Sequence, residues 1–224
     1  MRAAVLILAF GLAACASERP AEVSPGAEAV LSSGFACPPA PLGRAFEQTL
    51  PGAGRHDPVR LDRAILHEVN LARCDRGVAP LVAERSLRHA SELHNRDMIR
   101  LDFFGHQSPV QERAEVSDRL RLVGVQFRMA AENLLEARFM AYQSGRQYQV
   151  IDPVRCEFAY ADGTPIRRHT YASMGREAVT RWLDSPGHRR NLLNPDLTRH
   201  GAALVANKDK SLCGGAYITQ VFSG

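Results

Sequence analysis

The sequence predicts an α+β fold in which helices come first and an antiparallel hairpin closes the chain. Apolar residues recur at helical spacing after Asp57-Pro58 and again from about 83 to 101. Near the C-terminus, two short apolar segments, 201–207 and 216–222, flank a polar turn, which is typical of a hairpin. Helices followed by strands favour packed α+β layers over an alternating βαβ sheet.

Local signals set the bounds of the other elements. Asp57 with Pro58 predicts a helix N-cap and a first helical proline, and Gly77 with Pro80 predicts the end of that helix. Ser117 and Asp118 predict the cap of a short helix that ends at Gly124. The remaining predictions are a strand over 127–136, a hairpin pairing 147–151 with 157–160, and a helix over 174–183 carrying the only tryptophan, Trp182.

The charge pattern argues against a nucleic-acid partner. The 224-residue chain carries a formal charge of +4, and only two of its 28 basic residues, Lys208 and Lys210, are lysines. The arginines are interspersed with acidic residues instead of forming a block, and no basic stretch is rich in aromatic residues. The pattern therefore indicates an ordinary mixed-charge surface.

The N-terminus carries an export pattern. Residues 1–14 combine one arginine, an apolar run and small residues, and the run is too short to span a bilayer. The segment ends in Leu12-Ala13-Ala14-Cys15, which resembles the lipobox of bacterial lipoproteins. That resemblance implies acylation of Cys15 and a membrane anchor. Because Ala16 follows in place of aspartate, it implies a lipoprotein of the outer membrane that faces the periplasm.

Between the anchor and the domain, residues 15–56 are predicted to form a tether or an arm lying on the domain. The stretch is rich in Pro, Gly, Ala and Ser and lacks sustained periodicity. Cys37 within it suggests that part of the arm is pinned. The domain itself is predicted to begin at 57 and run to 224.

Setting Cys15 aside leaves four cysteines, an even number that suits an oxidising compartment. Three pairings are possible. Cys37–Cys74 and Cys156–Cys213 are favoured because each closes a short loop. Four reduced, buried cysteines are the alternative.

The domain resembles the CAP superfamily, which groups cysteine-rich secretory proteins, antigen 5 and pathogenesis-related proteins. The resemblance covers about residues 60–224, and its motifs occur in family order. They are Asn70, Arg73, Gly77 and Pro80-Leu81; His94-x-x-Asp97-Met98; Phe104-Gly105-His106; Ala131-Glu132-Asn133-Leu134; Trp182-Leu183-x-Ser185-Pro186-Gly187-His188-Arg189-x-Asn191-Leu192-Leu193; Gly201; and Tyr217 to Phe222. The resemblance implies an α-β-α sandwich with a small antiparallel sheet between helices. Residues 138–173 depart from the family pattern and are predicted to be an insertion.

Family members place two histidines and two glutamates in a central cleft, and several bind zinc or another divalent ion there. The resemblance assigns His106, His188 and Glu132 to these positions. The second glutamate has no counterpart at the family position, where this chain has Ser185, and Glu177 on the same helix is the nearest substitute. The cleft is therefore predicted either to bind a metal such as zinc through these residues or to be a hydrogen-bonded cluster that holds loops to the sheet.

Three functions fit these observations. The first is a binding module at the cell envelope whose cleft takes an amphiphile, a peptide or a glycan. The second is a periplasmic metal-dependent hydrolase with Glu132 as the base. The third is a structural envelope lipoprotein. No Gly-x-Ser-x-Gly elbow surrounds any serine, so the sequence favours binding over catalysis.

Overall fold

The computed structural model describes residues 37–51, 56–207 and 213–224. Its centre is a four-stranded sheet in the order β1-β6-β7-β2. β2 (Ala130–Arg138) pairs antiparallel with β7 (Gly215–Ser223), which pairs antiparallel with β6 (Arg199–Asn207), and β1 (Val82–Ala83) adds a short parallel edge. The hairpin predicted at the C-terminus is therefore confirmed, and its connecting turn lies outside the described residues. The central strand β7 is buried along its whole length.

Helices cover both faces of this sheet, which confirms the α+β class. On one face lies α2 (Arg85–Arg100), and on the other α1 (Pro58–Asp75) packs against α4 (Tyr171–Asp184). Two glycines permit the close approach: a Cβ on Gly201 would lie 2.1 Å from the Arg88 nitrogen of α2, and one on Gly175 would lie 2.8 Å from the Ala64 backbone of α1. Any larger residue would push these layers apart.

Capping explains where the helices begin. The Asp57 side chain accepts hydrogen bonds from the backbone nitrogens of Val59 and Arg60, as the sequence predicts for the start of α1. The short helix α3 (Val116–Leu122) is capped by Glu115, which forms a reciprocal capping box with Asp118. The predicted part of Asp118 in the cap is confirmed, since its side chain accepts a hydrogen bond from the Glu115 backbone nitrogen, but the N-cap residue is Glu115 and not Ser117.

Two boundary predictions shift, and one helix was not predicted. β2 begins at Ala130 instead of 127, since the backbone nitrogens of Arg128 and Met129 bond to the Gly224 carbonyl instead of the sheet ladder. The helix predicted over 174–183 begins at Tyr171, after Thr170 caps it. A further helix, α5 (Pro186–Leu192), follows directly. Within the described ranges, no helix combines the length and apolar character needed to cross a membrane.

Part of the N-terminal arm lies on the domain. Cys37 forms a disulfide with Cys74 of α1, one of the two pairings favoured from sequence. A 3-10 turn follows at Arg44–Glu47, and Leu50 is fully buried, with its backbone nitrogen donating to the His169 carbonyl at 2.7 Å. The packed body thus includes residues that precede 57. The predicted signal segment, Cys15 and the first part of the arm lie outside the described residues.

The predicted insertion, 138–173, builds a sheet of its own. β3 (Tyr148–Asp152) pairs antiparallel with β4 (Glu157–Tyr160), and β4 pairs with β5 (Pro165–Ile166). The hairpin predicted for 147–151 and 157–160 is confirmed. A small apolar cluster of Met140, Phe158, Tyr160 and Ile166 stabilises it, and the Cys156–Cys213 disulfide ties it to the segment before β7, as predicted.

Candidate functional site

The strand β2 carries Glu132, the centre of the candidate site. The side chain is only 4% exposed, and its Oε2 accepts a 2.6 Å hydrogen bond from the fully buried guanidinium of Arg119 on α3. Arg119 also donates to the carbonyls of Arg113, Ala114 and His106. A buried charge is tolerated only when it is paired and hydrogen-bonded. This pair therefore fixes both the carboxylate and the loop that leads to α3.

The two predicted histidines come together beside this carboxylate. The Nδ1 of His106 lies 2.9 Å from Glu132 Oε1, and the ring centroids of His106 and His188 are 6.2 Å apart. Because Glu132 holds Nδ1–H, it favours the tautomer that leaves Nε2 of His106 available to a ligand. His106 has a 58% exposed side chain, so this ring reaches solvent while its partner carboxylate does not.

Burial lowers the pKa of His188, and the proximity of His106 lowers it further. The imidazole is therefore neutral at pH 7 and carries a lone pair on one ring nitrogen. Among the described residues, the His188 ring has no hydrogen-bond partner, in contrast to His106. A neutral imidazole of this kind is suited to bind a metal or to accept a hydrogen bond from a ligand.

A third histidine supports the site from behind. His94 on α2 is fully buried, and its Nε2 donates to the Gly105 carbonyl at 2.9 Å. The same nitrogen lies 3.7 Å from Glu132 Oε1. Burial lowers the pKa of His94, with the Glu132 charge opposing this effect. The ring is neutral and packs edge-on to Phe103. His94 thus holds the loop that presents His106, and it lies too deep to reach a ligand.

The same loop is fastened by Asp97 of α2. This buried carboxylate accepts a two-pronged contact from Arg113, at 2.5 and 2.7 Å, and a bond from the Ser108 hydroxyl. Burial raises the pKa of Asp97, but the hydrogen bonds from Arg113 and Arg100 outweigh it, and the net shift is downward. Ser108 is therefore occupied as a donor to Asp97 in the protein interior, where it holds the loop.

The edge of β2 positions His188. Side chains of α4 and α5 cap the outward carbonyls of this edge strand: Asn191 bonds to Glu132, Trp182 to Leu134 and Arg181 to Glu136. Asn133 in turn donates to the His188 carbonyl at 3.3 Å. Edge strands require such cover, because open backbone groups invite pairing with other chains. The cover here also fixes His188 opposite Glu132.

The structure does not bring Glu177 to the histidine pair. α4 runs along the edge of β2, with Trp182 opposite Leu134 and Arg181 opposite Glu136, so earlier residues of α4 lie farther from His188. Glu177 lines a separate cavity beside the insertion. The group assembled at the cleft is accordingly His106, His188 and Glu132, with Arg119 and His94 behind them.

The imidazoles of His106 and His188 are the side chains at this site that could contribute nitrogen ligands to a divalent metal. Rings that share one zinc ion have centroids about 5–6 Å apart, given Zn–N distances of about 2.0–2.1 Å. The His106–His188 spacing of 6.2 Å is close to this range. Glu132 is held by Arg119, and its contact with Nδ1 would orient the His106 ring toward such an ion. Across the described residues, no group of three or more His, Cys, Asp or Glu side chains is arranged to hold a metal.

Sequence reasoning missed Arg119, which neutralises Glu132. A signal was present: Val116, Leu120 and Val123 follow helical spacing, and Arg119 falls on the same apolar face. A lone arginine on the buried face of a helix indicates a buried carboxylate partner.

Comparisons with known proteins agree with this fold. A family model described as "CAP: Cysteine-rich secretory protein family" matches residues 66–222. Two curated relatives from Bacillus subtilis are the uncharacterized protein YkwD, 24% identical over 73% of this chain, and the uncharacterized membrane protein YlbC, 28% identical over 64%. The matches span 47% and 31% of those two proteins, so the chain corresponds to half of their length or less.

Among solved structures, the chain is similar to an extracellular protein containing an SCP domain from Bacillus anthracis strain Ames. The identity is 22% and the TM-score 0.52, over 82% of this chain and 44% of that one. This likeness concerns the fold. The family match over residues 66–222, most of the folded region, shows that the chain belongs to the CAP family of cysteine-rich secretory proteins.

Proposed function

We propose that the protein is an exported, lipid-anchored binding module whose His106–His188 pair binds a divalent cation such as zinc and, with it, a ligand at the cell envelope. The observation that carries this proposal is the 6.2 Å spacing of the two rings, with Glu132 holding Nδ1 of His106. When bound, the ion supplies a Lewis-acid point for an electron-pair donor of the ligand. With only two imidazole ligands, the site is weak and exchangeable.

Binding is favoured over hydrolysis because of the state of Glu132. A general base must be within reach of a water and free to accept its proton. Here Oε2 is bonded to Arg119, and Oε1 is bonded to His106 and lies near His94. Glu132 would have to give up these contacts to accept a proton, which makes it a positioning residue. The same contacts give the cluster a structural role that persists without metal.

Export is supported by the two disulfides. Bridges such as Cys37–Cys74 and Cys156–Cys213 form and persist in oxidising compartments outside the cytosol. The Leu12-Ala13-Ala14-Cys15 pattern supports a lipid anchor on Cys15, which two or more acyl chains would make stable. The resemblance to lipoproteins with this pattern supports a location at the outer membrane, facing the periplasm.

Zinc titration by calorimetry at pH 7.5 tests the proposal. The wild type is expected to show one saturable site, and His106→Ala and His188→Ala are each expected to abolish it. His89→Ala, which removes an exposed histidine of α2, is the matched control and should bind as the wild type does. Equal binding by all four proteins, or none by the wild type, would overturn the metal site.

A further inference from the structure

The insertion builds a cavity of about 1050 Å³ where it meets α4 and the end of β2. The lining includes Glu136 of β2, which is four residues along the strand from Glu132. At about 3.3 Å per residue, the two positions are about 13 Å apart. His106, His188 and Glu132 do not line this cavity. It is therefore a separate site, built in part by the segment in which this chain departs from its family.

Two tyrosines in mutual contact, their ring planes tilted by 42°, line the insertion side of the cavity. The rings of Tyr142 and Tyr148 have centroids 4.6 Å apart, and Phe158 supports both rings from an edge-on position. The guanidinium of Arg138 lies 5.5 Å from the Tyr142 ring centroid. Tyr148 remains 45% exposed, although it belongs to this packed group. An aromatic ring that lines a cavity and packs against other rings offers a flat contact surface at low entropic cost.

The positive and negative charges of the side chains that line the cavity cancel. Carboxylates and guanidinium groups occur in equal number, and the neutral polar side chains add donors and acceptors. His169 adds no charge at pH 7, because burial lowers its pKa to about 4. The charged lining residues are Glu136, Glu177, Asp184, Arg138, Arg146 and Arg181.

This balance restricts the ligand. A phosphate or another anion would be repelled by the carboxylates, and a cation would be repelled by the arginines. An acyl chain would bury polar groups without partners. Sugar hydroxyl groups both donate and accept, so they can bond to carboxylates, guanidinium groups and amides at once. The C–H face of a pyranose ring packs on an aromatic ring such as Tyr148.

We propose that this cavity binds an uncharged oligosaccharide, with one sugar ring on Tyr148 and its hydroxyl groups bonded to the side chains of α4 and the end of β2. The cavity is preformed. The Cys156–Cys213 disulfide and the bridge between Met140 and Arg168 hold the insertion in place, so that little ordering cost accompanies binding. This site is independent of the histidine pair, and it would attach the module to a glycan surface.

Calorimetric titration of the full chain with three probes tests this proposal. The probes are a tetramer of β-1,4-linked N-acetylglucosamine, a tetramer of β-1,4-linked glucose, and tetra-alanine. At least one saccharide should bind, and the peptide should not. Tyr148→Ala should weaken saccharide binding at least tenfold, while Tyr148→Phe, which keeps the ring, should stay within about threefold of the wild type.

Two further variants keep the test independent of folding. Ser144→Trp fills the cavity from an exposed loop and should weaken binding at least tenfold, while Val154→Ala, 91% exposed on the same insertion and outside the cavity lining, should bind normally. The cavity site would be overturned if no saccharide bound or if the peptide bound better than the saccharides. It would also be overturned if Tyr148→Ala and Ser144→Trp both bound saccharide with wild-type affinity. Saccharide binding lost in His106→Ala alone would assign the sugar to the histidine cleft, whereas sugar binding without zinc binding would overturn only the histidine-pair proposal.

Discussion

Replacing Glu132 by glutamine tests whether the buried ion pair between Glu132 and Arg119 stabilises the site. The substitution keeps the shape of the side chain and one carbonyl oxygen, but it removes the negative charge opposite the fully buried Arg119. Removing one partner of a buried ion pair costs about 3–5 kcal/mol, because the other charge is left without compensation. Since the remaining amide oxygen can still accept a bond from Arg119, we expect a loss of about 3 kcal/mol, at the lower end of that range.

The assay is urea denaturation at pH 7 and 25 °C, in which the free energy of unfolding is compared between variants of equal m-value. Glu157→Gln, on the exposed side of β4, is the control, and a surface change of this kind shifts stability by less than about 0.5 kcal/mol. Zinc affinity supplies a second measurement. Loss of a carboxylate that orients a metal-binding histidine lowers metal affinity by about 10–100-fold. A Glu132→Gln variant within 1 kcal/mol of the wild type would refute the assignment of a buried, charge-paired carboxylate.

Three other predictions concern stability and anchoring. The double variant Cys156→Ser/Cys213→Ser should lose about 2–4 kcal/mol in urea unfolding, and wild-type stability in that variant would contradict the bridge. Because burial lowers the folded-state pKa of His169 to about 4, against about 6.5 unfolded, the unfolded chain binds the extra proton. The free energy of unfolding should therefore fall by up to about 3 kcal/mol between pH 6.5 and 4, and it should fall less in His169→Gln. A wild-type free energy of unfolding that does not change over this pH range would contradict the lowered pKa of His169. Cys15→Ala should move the protein from the membrane fraction to the soluble fraction, and a wild type that enters the aqueous phase of a detergent split would disprove the anchor.

Local sequence signals predict those helices and strands whose ends and pairing depend on residues close together in the sequence. Asp57-Pro58 marks the start of α1 because a cap and a first-turn proline act within three residues. The hairpin of β3 and β4 follows from its own strand pattern. In contrast, β1 spans only Val82–Ala83 and exists through its pairing with β6, so no local pattern could reveal it. α5 was also not predicted; it has seven residues, and Ser185-Pro186 was an available start signal.

The candidate site was also predicted only in part, because the sequence identifies its residues and not the tertiary contacts between them. The motif order identified His106, Glu132 and His188, which the fold brings together from a loop, a strand and a short helix. Arg119 was missed because its partner is remote in sequence, and only the tertiary fold shows that both charges are buried. The position of Glu177 depends on how α4 lies along β2, which helical periodicity alone does not determine.

The melting temperature of the wild type with zinc and with a chelator, at pH 7.5 and pH 5, tests the histidine-pair account most directly. At a zinc concentration 100 times Kd, a ligand that binds only the folded state adds about 2.7 kcal/mol, which raises Tm by about 5–10 °C for a domain of this size. The account predicts this rise at pH 7.5 and its loss near pH 5, because protonated imidazole does not bind metal. It also predicts no rise in His106→Ala or His188→Ala at either pH. A wild-type Tm that does not respond to zinc at pH 7.5 would contradict the account.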